Sequence, residues 1–117
     1  MRWKVAILTV GNNGSRKEWM DTSAQVIREL IEEELGGEIV DERLVPGEVN
    51  EIAASLIEMS EYYQADLIFT LGGIGLSPSD VAPEATIKAA DRLVPGMAEA
   101  IRAHQLQRSR RAMLTRG

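Results

Sequence analysis

Strand-like and helix-like hydrophobic patterns alternate along residues 4–71, and this alternation constrains the fold more than any other feature. The run KVAILTV, at residues 4–10, is almost continuously apolar and rich in β-branched residues, as expected of a strand covered on both faces. Two more strand-like runs follow, EIVDERLV at residues 38–45 and DLIFTL at residues 66–71. The first of these is more polar, which predicts a strand near an edge of the sheet.

The first amphipathic segment is predicted to begin at the sequence DTS, residues 21–23, whose side-chain oxygens suit a helix N-cap. Two glycines at residues 36–37 are predicted to end it. Its apolar residues recur at spacings of three and four and are Val26, Ile27, Leu30, Ile31 and Leu35. This spacing predicts that one helix face packs against the sheet.

A second amphipathic segment follows Pro46 and Gly47 and is predicted to run from Val49 to about Tyr63. Further helices are predicted at Pro83 and after Pro95, because proline suits the first turn of a helix. Strands that alternate with helices imply parallel βαβ units with right-handed crossovers. The sequence therefore predicts an α/β protein of one domain over residues 1–117, with a mostly parallel sheet in a three-layer α/β/α arrangement.

Composition excludes several classes of function. The chain has no cysteine and a single histidine, His104, which excludes disulfides and argues against a structural zinc site. Its apolar runs are far shorter than a membrane span, and its start has no signal-peptide pattern, so we expect a cytoplasmic protein without membrane contact. The net charge of −5 argues against general nucleic-acid binding.

The positive charge is concentrated near the end of the sequence. Residues 100–117 contain five arginines and no acidic residue. We interpret this basic segment as a solvated helix face. Contact with an acidic neighbouring subunit or with a phosphorylated ligand remains an alternative.

A glycine-rich stretch directly follows the third strand and reads TLGGIGLSPSDVAPEAT, at residues 70–86. Glycines at a strand end let a phosphate approach backbone N–H groups, but glycine alone is also typical of a tight strand-to-helix turn. Ser77 adds a hydroxyl. Asp80 is interpreted either as a surrogate cap for the next helix or as an acid that holds magnesium with a triphosphate. Since ligands bind at the carboxyl ends of parallel strands, the loops at residues 11–20 and 46–48 are predicted to converge here.

The segment GGIGLSPSDVAPEAT resembles the GGTG and DVTPEAT signature of the molybdenum-cofactor biosynthesis family, which includes molybdopterin adenylyltransferases and MoaB-like proteins. Further similarity lies at Asn12 in the first loop, at the DTS segment, at VPG in residues 94–96 and at AMLTRG in residues 112–117. The resemblance spans essentially the whole chain.

The resemblance implies the molybdopterin-binding fold, a homo-oligomer (trimer or hexamer), and magnesium-dependent transfer of AMP from ATP to the phosphate of molybdopterin. It implies that Asp80 is the catalytic and metal-holding acid. It also implies a substrate-binding set that consists of Gly72, Gly73, Gly75, Ser77, Asp21, Ser23 and Asn12. Nucleic acid is not among the implied partners.

The chain departs from the family pattern at several positions. Gly47 stands where most family enzymes have a second functional aspartate, and we expect Glu48 to substitute for it. Ile74 and Ala82 replace signature threonines. The family continues past the segment at residues 112–117 through a further strand and helix. We expect the sequence to be a fragment that lacks these elements, and a naturally reduced domain is the alternative.

Two alternatives remain open. One is a MoaB-like module that binds the pterin without catalysis, which Gly47 and Ile74 favour. The other is a competence-damage-type domain of the same fold, against which the run SPSDVAPEAT argues.

Overall fold

The computed structural model describes residues 2–11 and 17–117, with residues 17–19 described by their backbone alone. The described part contains three strands, four α-helices and one 3₁₀ helix. In chain order these are β1 (Lys4–Val10), α1 (Lys17–Glu33), β2 (Glu38–Val45), α2 (Val49–Glu61), β3 (Leu67–Leu71), α3 (Ala82–Ala89), α4 (Pro95–Leu106) and the 3₁₀ helix (Arg110–Leu114). The first two strands have the predicted bounds, and the third is one residue shorter.

The three strands form a parallel sheet in the order β2-β1-β3. β1 is therefore central, and the more polar β2 lies at an edge, as its composition predicts. A register shift between Val5 and Ala6 accommodates one extra residue of β2. Every residue of β1 after Lys4 is buried, because helices cover both faces of the sheet.

The helices form two layers around the sheet. On one face, Ile31 of α1 joins Val5 and Ile7 in a small core cluster. On the other face, α2 and α3 pack over Ala6, Leu8 and Val10, in a larger cluster that also contains Ile52, Ala53, Leu56, Met59, Ala82 and Ala85. The predicted three-layer α/β/α architecture is confirmed.

The start of α1 differs from the prediction. The helix begins at Lys17, so the DTS segment at residues 21–23 lies inside the helix instead of capping it. The face that packs on the sheet is formed by Met20, Ala24, Ile27 and Ile31, at spacings of four, three and four. The predicted stripe was partly wrong, since Val26, Leu30 and Leu35 are about half exposed. An additional turn, in which Met20 is buried, extends the helix toward the N-terminus, so that it begins before the expected cap residues.

The last part of the chain packs less tightly. α4 has no buried residue, and its apolar side chains Met97 and Ile101 are 67% and 62% exposed. The helix contacts the 3₁₀ helix that follows it, in which Ala112 is buried.

Among the residues that the structure describes, no helix combines the length and apolar character that a bilayer span requires.

Candidate functional site at the carboxyl ends of the strands

The order of strands reverses at β1, because β2 and β3 lie on opposite sides of it. The connection through α1 leads from β1 to β2 on one side, whereas the connection through α2 passes over the opposite face to β3. In open parallel sheets, ligands bind in the crevice outside the carboxyl ends of the two strands where the order reverses. Here that place lies between β1 and β3, and the glycine-rich loop follows β3 directly.

Two glycines of this loop are required by the backbone itself. Gly72 and Gly73 have φ angles of +84° and +70°, a conformation that side-chain-bearing residues rarely adopt. A Cβ atom at Gly72 would lie 2.3 Å from the carbonyl oxygen of Val10, at the end of β1. The loop thus lies directly against the end of β1. These two glycines make a tight strand-to-helix turn, whatever else the loop does.

Asp80 lies inside this loop and is half-buried. Its Oδ2 atom accepts a hydrogen bond from the backbone N–H of Ser77 at 3.1 Å, and its own N–H donates to the Ser77 carbonyl at 2.9 Å. A Cβ atom at Gly75 would lie 2.7 Å from Oδ2, so glycine leaves room for the carboxylate. The carboxylate is held in one place by the loop that contains it.

Asp80 does not cap the next helix. The N-cap residue of α3 is Val81, whose side chain makes no capping hydrogen bond. The backbone N–H of Ala82 donates instead to the carbonyl of Gly73 at 3.1 Å, which ties the start of α3 to the glycine turn. The surrogate-cap interpretation was therefore wrong.

The loop after β2 meets the glycine-rich loop, as predicted for a converging crevice. A Cβ atom at Gly47 would lie 2.3 Å from the carbonyl oxygen of Ser79. The two loops are in contact through the glycine itself, and on this backbone no aspartate fits at position 47. This close approach accounts in physical terms for the departure from the family pattern.

Glu48 has a structural role at the start of α2. It is the N-cap residue, and its Oε1 and Oε2 atoms accept hydrogen bonds from the backbone N–H groups of Asn50 and Glu51, both at 3.0 Å. A carboxylate at this position also interacts favourably with the helix dipole. This role was not predicted, because glutamate is not among the commonest N-cap residues.

The start of α1 borders the same loops. The side chain of Met20 lies against Gly11 and Gly72, with its Sδ atom 2.9 Å and 3.8 Å from the Cβ positions of these glycines. Of the neighbouring residues assigned to the site, Ser23 is half-buried and Asp21 is exposed. Asn12 lies outside the described residues.

Arg116 contacts the glycine-rich loop, which the sequence did not predict. It bonds to the glycine-rich loop and to the Glu84 carboxylate, so the basic segment at residues 100–117 is not uniformly a solvated helix face. The hydrogen bond from Arg116 lowers the pKa of Glu84 below its usual range. Arg116 is the arginine of the AMLTRG segment that resembles the family, but the resemblance alone does not indicate what its side chain contacts.

The residues that could hold a metal are few. Among the side chains that the structure describes, those of residues 2–11 and 20–117, no three acidic or histidine groups form a cluster suited to a metal ion. Asp80 alone offers a fixed carboxylate inside the loop. A magnesium ion that arrives with a nucleotide fits such a site, because magnesium is commonly held by one or two carboxylates together with substrate phosphates.

A separate groove of about 390 Å³ lies between α2, β3 and α3. Thr70, Thr86 and Asp91 are among its lining residues. None of its lining residues belongs to the 72–81 loop or to the 46–48 loop, so it is distinct from the crevice described above.

The fold and the converging loops define an open, doubly wound α/β domain, a class of protein in which ligands bind at the carboxyl ends of parallel strands. Residues 6–117 match the family model described as "Probable molybdopterin binding domain". The chain belongs to this molybdopterin-binding domain family, and the resemblance to the molybdenum-cofactor biosynthesis proteins is confirmed.

Individual relatives agree with this membership. The chain is 33% identical over 113 residues to a molybdopterin adenylyltransferase of Helicobacter pylori, and the match covers 96% of this chain and 64% of the relative. The molybdopterin biosynthesis enzyme MoaB of Thermus thermophilus superposes with a TM-score of 0.85 at 41% identity, over 98% of this chain and 72% of that one. The tungsten cofactor synthesizing protein MoaB of Pyrococcus furiosus superposes with a TM-score of 0.80 at 29% identity, over 98% and 70%. The chain thus spans slightly less than two thirds of the adenylyltransferase that it matches.

Proposed function

We propose that this domain acts in molybdenum cofactor biosynthesis, where it binds molybdopterin and transfers AMP to it from ATP. The observation that carries this proposal is the placement of Asp80. In a member of the molybdopterin-binding family, one carboxylate is fixed inside a glycine-rich loop at the point where the strand order reverses. The Helicobacter relative, named as a molybdopterin adenylyltransferase, supports the choice of reaction.

The proposed roles follow from what AMP transfer requires. The reaction joins the phosphate of molybdopterin to the α-phosphorus of ATP and releases pyrophosphate. Such a transfer depends on positioned donors and on charge stabilisation more than on a nucleophilic side chain. The backbone of Gly72, Gly73 and Gly75 and the hydroxyl of Ser77 would cradle phosphate oxygens. Asp21 and Ser23 would bind the substrate from the opposite wall, and Asn12 is proposed as a further substrate-binding residue.

Asp80 would hold the magnesium that accompanies ATP, and that ion would neutralise charge on the phosphates. Among the described residues, its Oδ2 atom accepts the Ser77 N–H and its Oδ1 atom accepts no hydrogen bond. Glu48 is proposed as a second acid, because its neighbour Gly47 touches the loop that contains Asp80. Its capping bonds keep its carboxylate at the start of α2.

Calorimetric titration tests the proposal directly. The purified protein is titrated with molybdopterin and with ATP and magnesium, first separately and then together, and the mixture is analysed by mass spectrometry. We expect both ligands to bind and adenylylated molybdopterin to form. Absence of molybdopterin binding would overturn the proposed function.

A second candidate function is a pterin-binding module that carries out no AMP transfer. The contact between Gly47 and Ser79 favours it, since it excludes an aspartate where most family enzymes have one. The MoaB proteins of Thermus and Pyrococcus are structural neighbours. In the titration above, this function predicts molybdopterin binding without an adenylylated product.

We also propose that the protein is a trimer or hexamer in the cytoplasm, where ATP is available. The exposed apolar side chains of α4 support assembly, because an apolar surface of this kind often marks an interface. Acidic side chains on the outer face of α1 and the basic residues 100–117 have opposite charges. Sedimentation equilibrium at micromolar concentration is expected to give three or six times the chain mass of 12.9 kDa. A monomer would contradict this assembly.

A further inference from the structure

Arg116 spans the two ends of the segment that contains Ser77 and Asp80. Its Nε atom donates to the carbonyl of Gly75 at 2.9 Å, and its Nη2 atom donates to the carbonyl of Asp80. One planar guanidinium group therefore connects the first and the last residue of the 75–80 segment. Because the guanidinium is rigid, these two carbonyls are held at a fixed separation.

The same side chain also reaches α3. Its Nη1 and Nη2 atoms both donate to the carboxylate of Glu84, in a paired arrangement that fixes the orientation of the guanidinium. Its backbone N–H donates to the carbonyl of Ile74 at 2.9 Å. The guanidinium thus makes four hydrogen bonds, and the main chain adds a fifth to the loop.

The residues on either side of Arg116 are themselves anchored. Arg102 of α4 donates from Nε to the Thr115 hydroxyl at 3.4 Å and from Nη2 to the Gly117 carbonyl at 3.3 Å. A Cβ atom at Gly117 would lie 3.3 Å from Cγ of Pro83, so this residue lies against the start of α3. The segment that contains Arg116 is therefore hydrogen-bonded to α4, which holds Arg116 against the loop.

We propose that Arg116 is the positioning residue of the glycine-rich loop, and that it holds the 75–80 segment in the shape in which Asp80 meets the phosphate-bearing ligand. The inference rests on the proposed function for its ligand, but the contacts between Arg116 and the loop stand independently of it. In this role Arg116 acts on the ligand through the position of the loop, and its guanidinium also interacts electrostatically with Asp80. Its role is therefore distinct from that of Asp80.

Amide hydrogen exchange tests the structural half of this inference. The N–H groups of Ser77 and Asp80 are bonded within the loop, whereas those of Ile7 and Leu8 lie in the central strand. In Arg116→Ala we expect exchange at the two loop amides to rise about tenfold or more, with the strand amides unchanged, because only the loop opens more often. Arg116→Lys is expected to show the same rise, since an ammonium group lacks the planar fork that reaches several acceptors at once.

Arg110→Ala is the matched control. Arg110 belongs to the same basic segment and is exposed, and its side chain forms no hydrogen bond within the described part of the chain. We expect its exchange pattern to equal that of the wild type. Unchanged loop amides in Arg116→Ala would overturn the inference, and so would an equal rise at the strand amides, which would indicate general destabilisation.

The functional half is tested with molybdopterin and ATP on the same variants. Arg116→Ala and Arg116→Lys are expected to lose about tenfold to a hundredfold in AMP transfer, mainly in kcat, because a displaced loop misplaces Asp80. A rise in loop exchange without loss of ligand binding or transfer would overturn the positioning role. If the wild-type protein binds no molybdopterin, the proposed function fails, and the exchange experiment alone decides whether Arg116 holds the loop.

Discussion

Replacement of Asp80 by asparagine is expected to lower AMP transfer to molybdopterin by about a hundredfold or more while the fold persists. The amide oxygen of asparagine still accepts the hydrogen bond from the Ser77 N–H, so the loop keeps its shape. The negative charge is lost, and with it the favourable interaction with magnesium on the phosphates. Groups that stabilise charge in a transition state commonly contribute a factor of about 100 to 1000. The rate of product formation, measured by mass spectrometry, checks this expectation.

Asp66→Asn provides a matched control for this substitution. Asp66 also accepts a backbone hydrogen bond, from the Lys4 N–H at 2.8 Å, but it lies before β3, at the amino end of the sheet. We expect Asp66→Asn to leave AMP transfer unchanged. Comparable transfer by Asp80→Asn and the wild type would remove Asp80 from its catalytic role. The rate of AMP transfer by Glu48→Asp gives a further comparison. Aspartate is a good N-cap residue, so α2 keeps its cap, but its shorter side chain moves the carboxylate away from the position proposed for the second acid.

Replacement of Gly72 by alanine is expected to lower the free energy of unfolding by about 3 kcal/mol. Two costs add at this position. A left-handed backbone conformation costs a residue with a side chain about 1–2 kcal/mol, and φ at Gly72 is +84°. The new Cβ atom would also lie 2.3 Å from the Val10 carbonyl oxygen, and such overpacking typically costs about 1–3 kcal/mol. Urea denaturation monitored by circular dichroism measures the change.

Gly36→Ala separates these two costs. Gly36 also has a positive φ, +63°, but nothing lies within 4 Å of the position that its Cβ would take. We expect this control to lose only the backbone cost, about 1 kcal/mol. Equal destabilisation by the two substitutions would show that the close approach between Gly72 and Val10 does not contribute to the loss in free energy of unfolding.

The regular elements of the fold were predictable because each has a strong local pattern. The apolar run of β1, the more polar run of β2 and the prolines at Pro83 and Pro95 placed most elements within a residue or two. The start of α1 was not predicted. Ser, Thr and Asp are typical of helix starts, but Met20 and Ala24 continue the buried face past them, and tertiary packing outweighs a local capping preference.

The meeting of the loops at the candidate site was predictable, whereas the contacts within them were not. The order of strands and the glycines indicate which loops meet. The capping of α2 by Glu48 is a local contact, but glutamate is an uncommon N-cap residue and so gave no clear signal. The bonds from Arg116 to the loop depend on tertiary geometry that no spacing reveals. Arg116 is 36 residues from Asp80 in sequence, and its partners are mostly backbone carbonyls, whose positions the sequence does not encode locally.

The close approach of Gly47 to the Ser79 carbonyl has a consequence for protein engineering. A designer who wishes to install an acidic residue at position 47 cannot do so by a single substitution, because the carbonyl occupies the volume that the new side chain needs. The 77–80 turn would have to be rebuilt in the same step, with Ser79 displaced outward. Position 47 is therefore expected to be glycine wherever the backbone of the 77–80 turn lies this close, whatever side chain residue 79 carries.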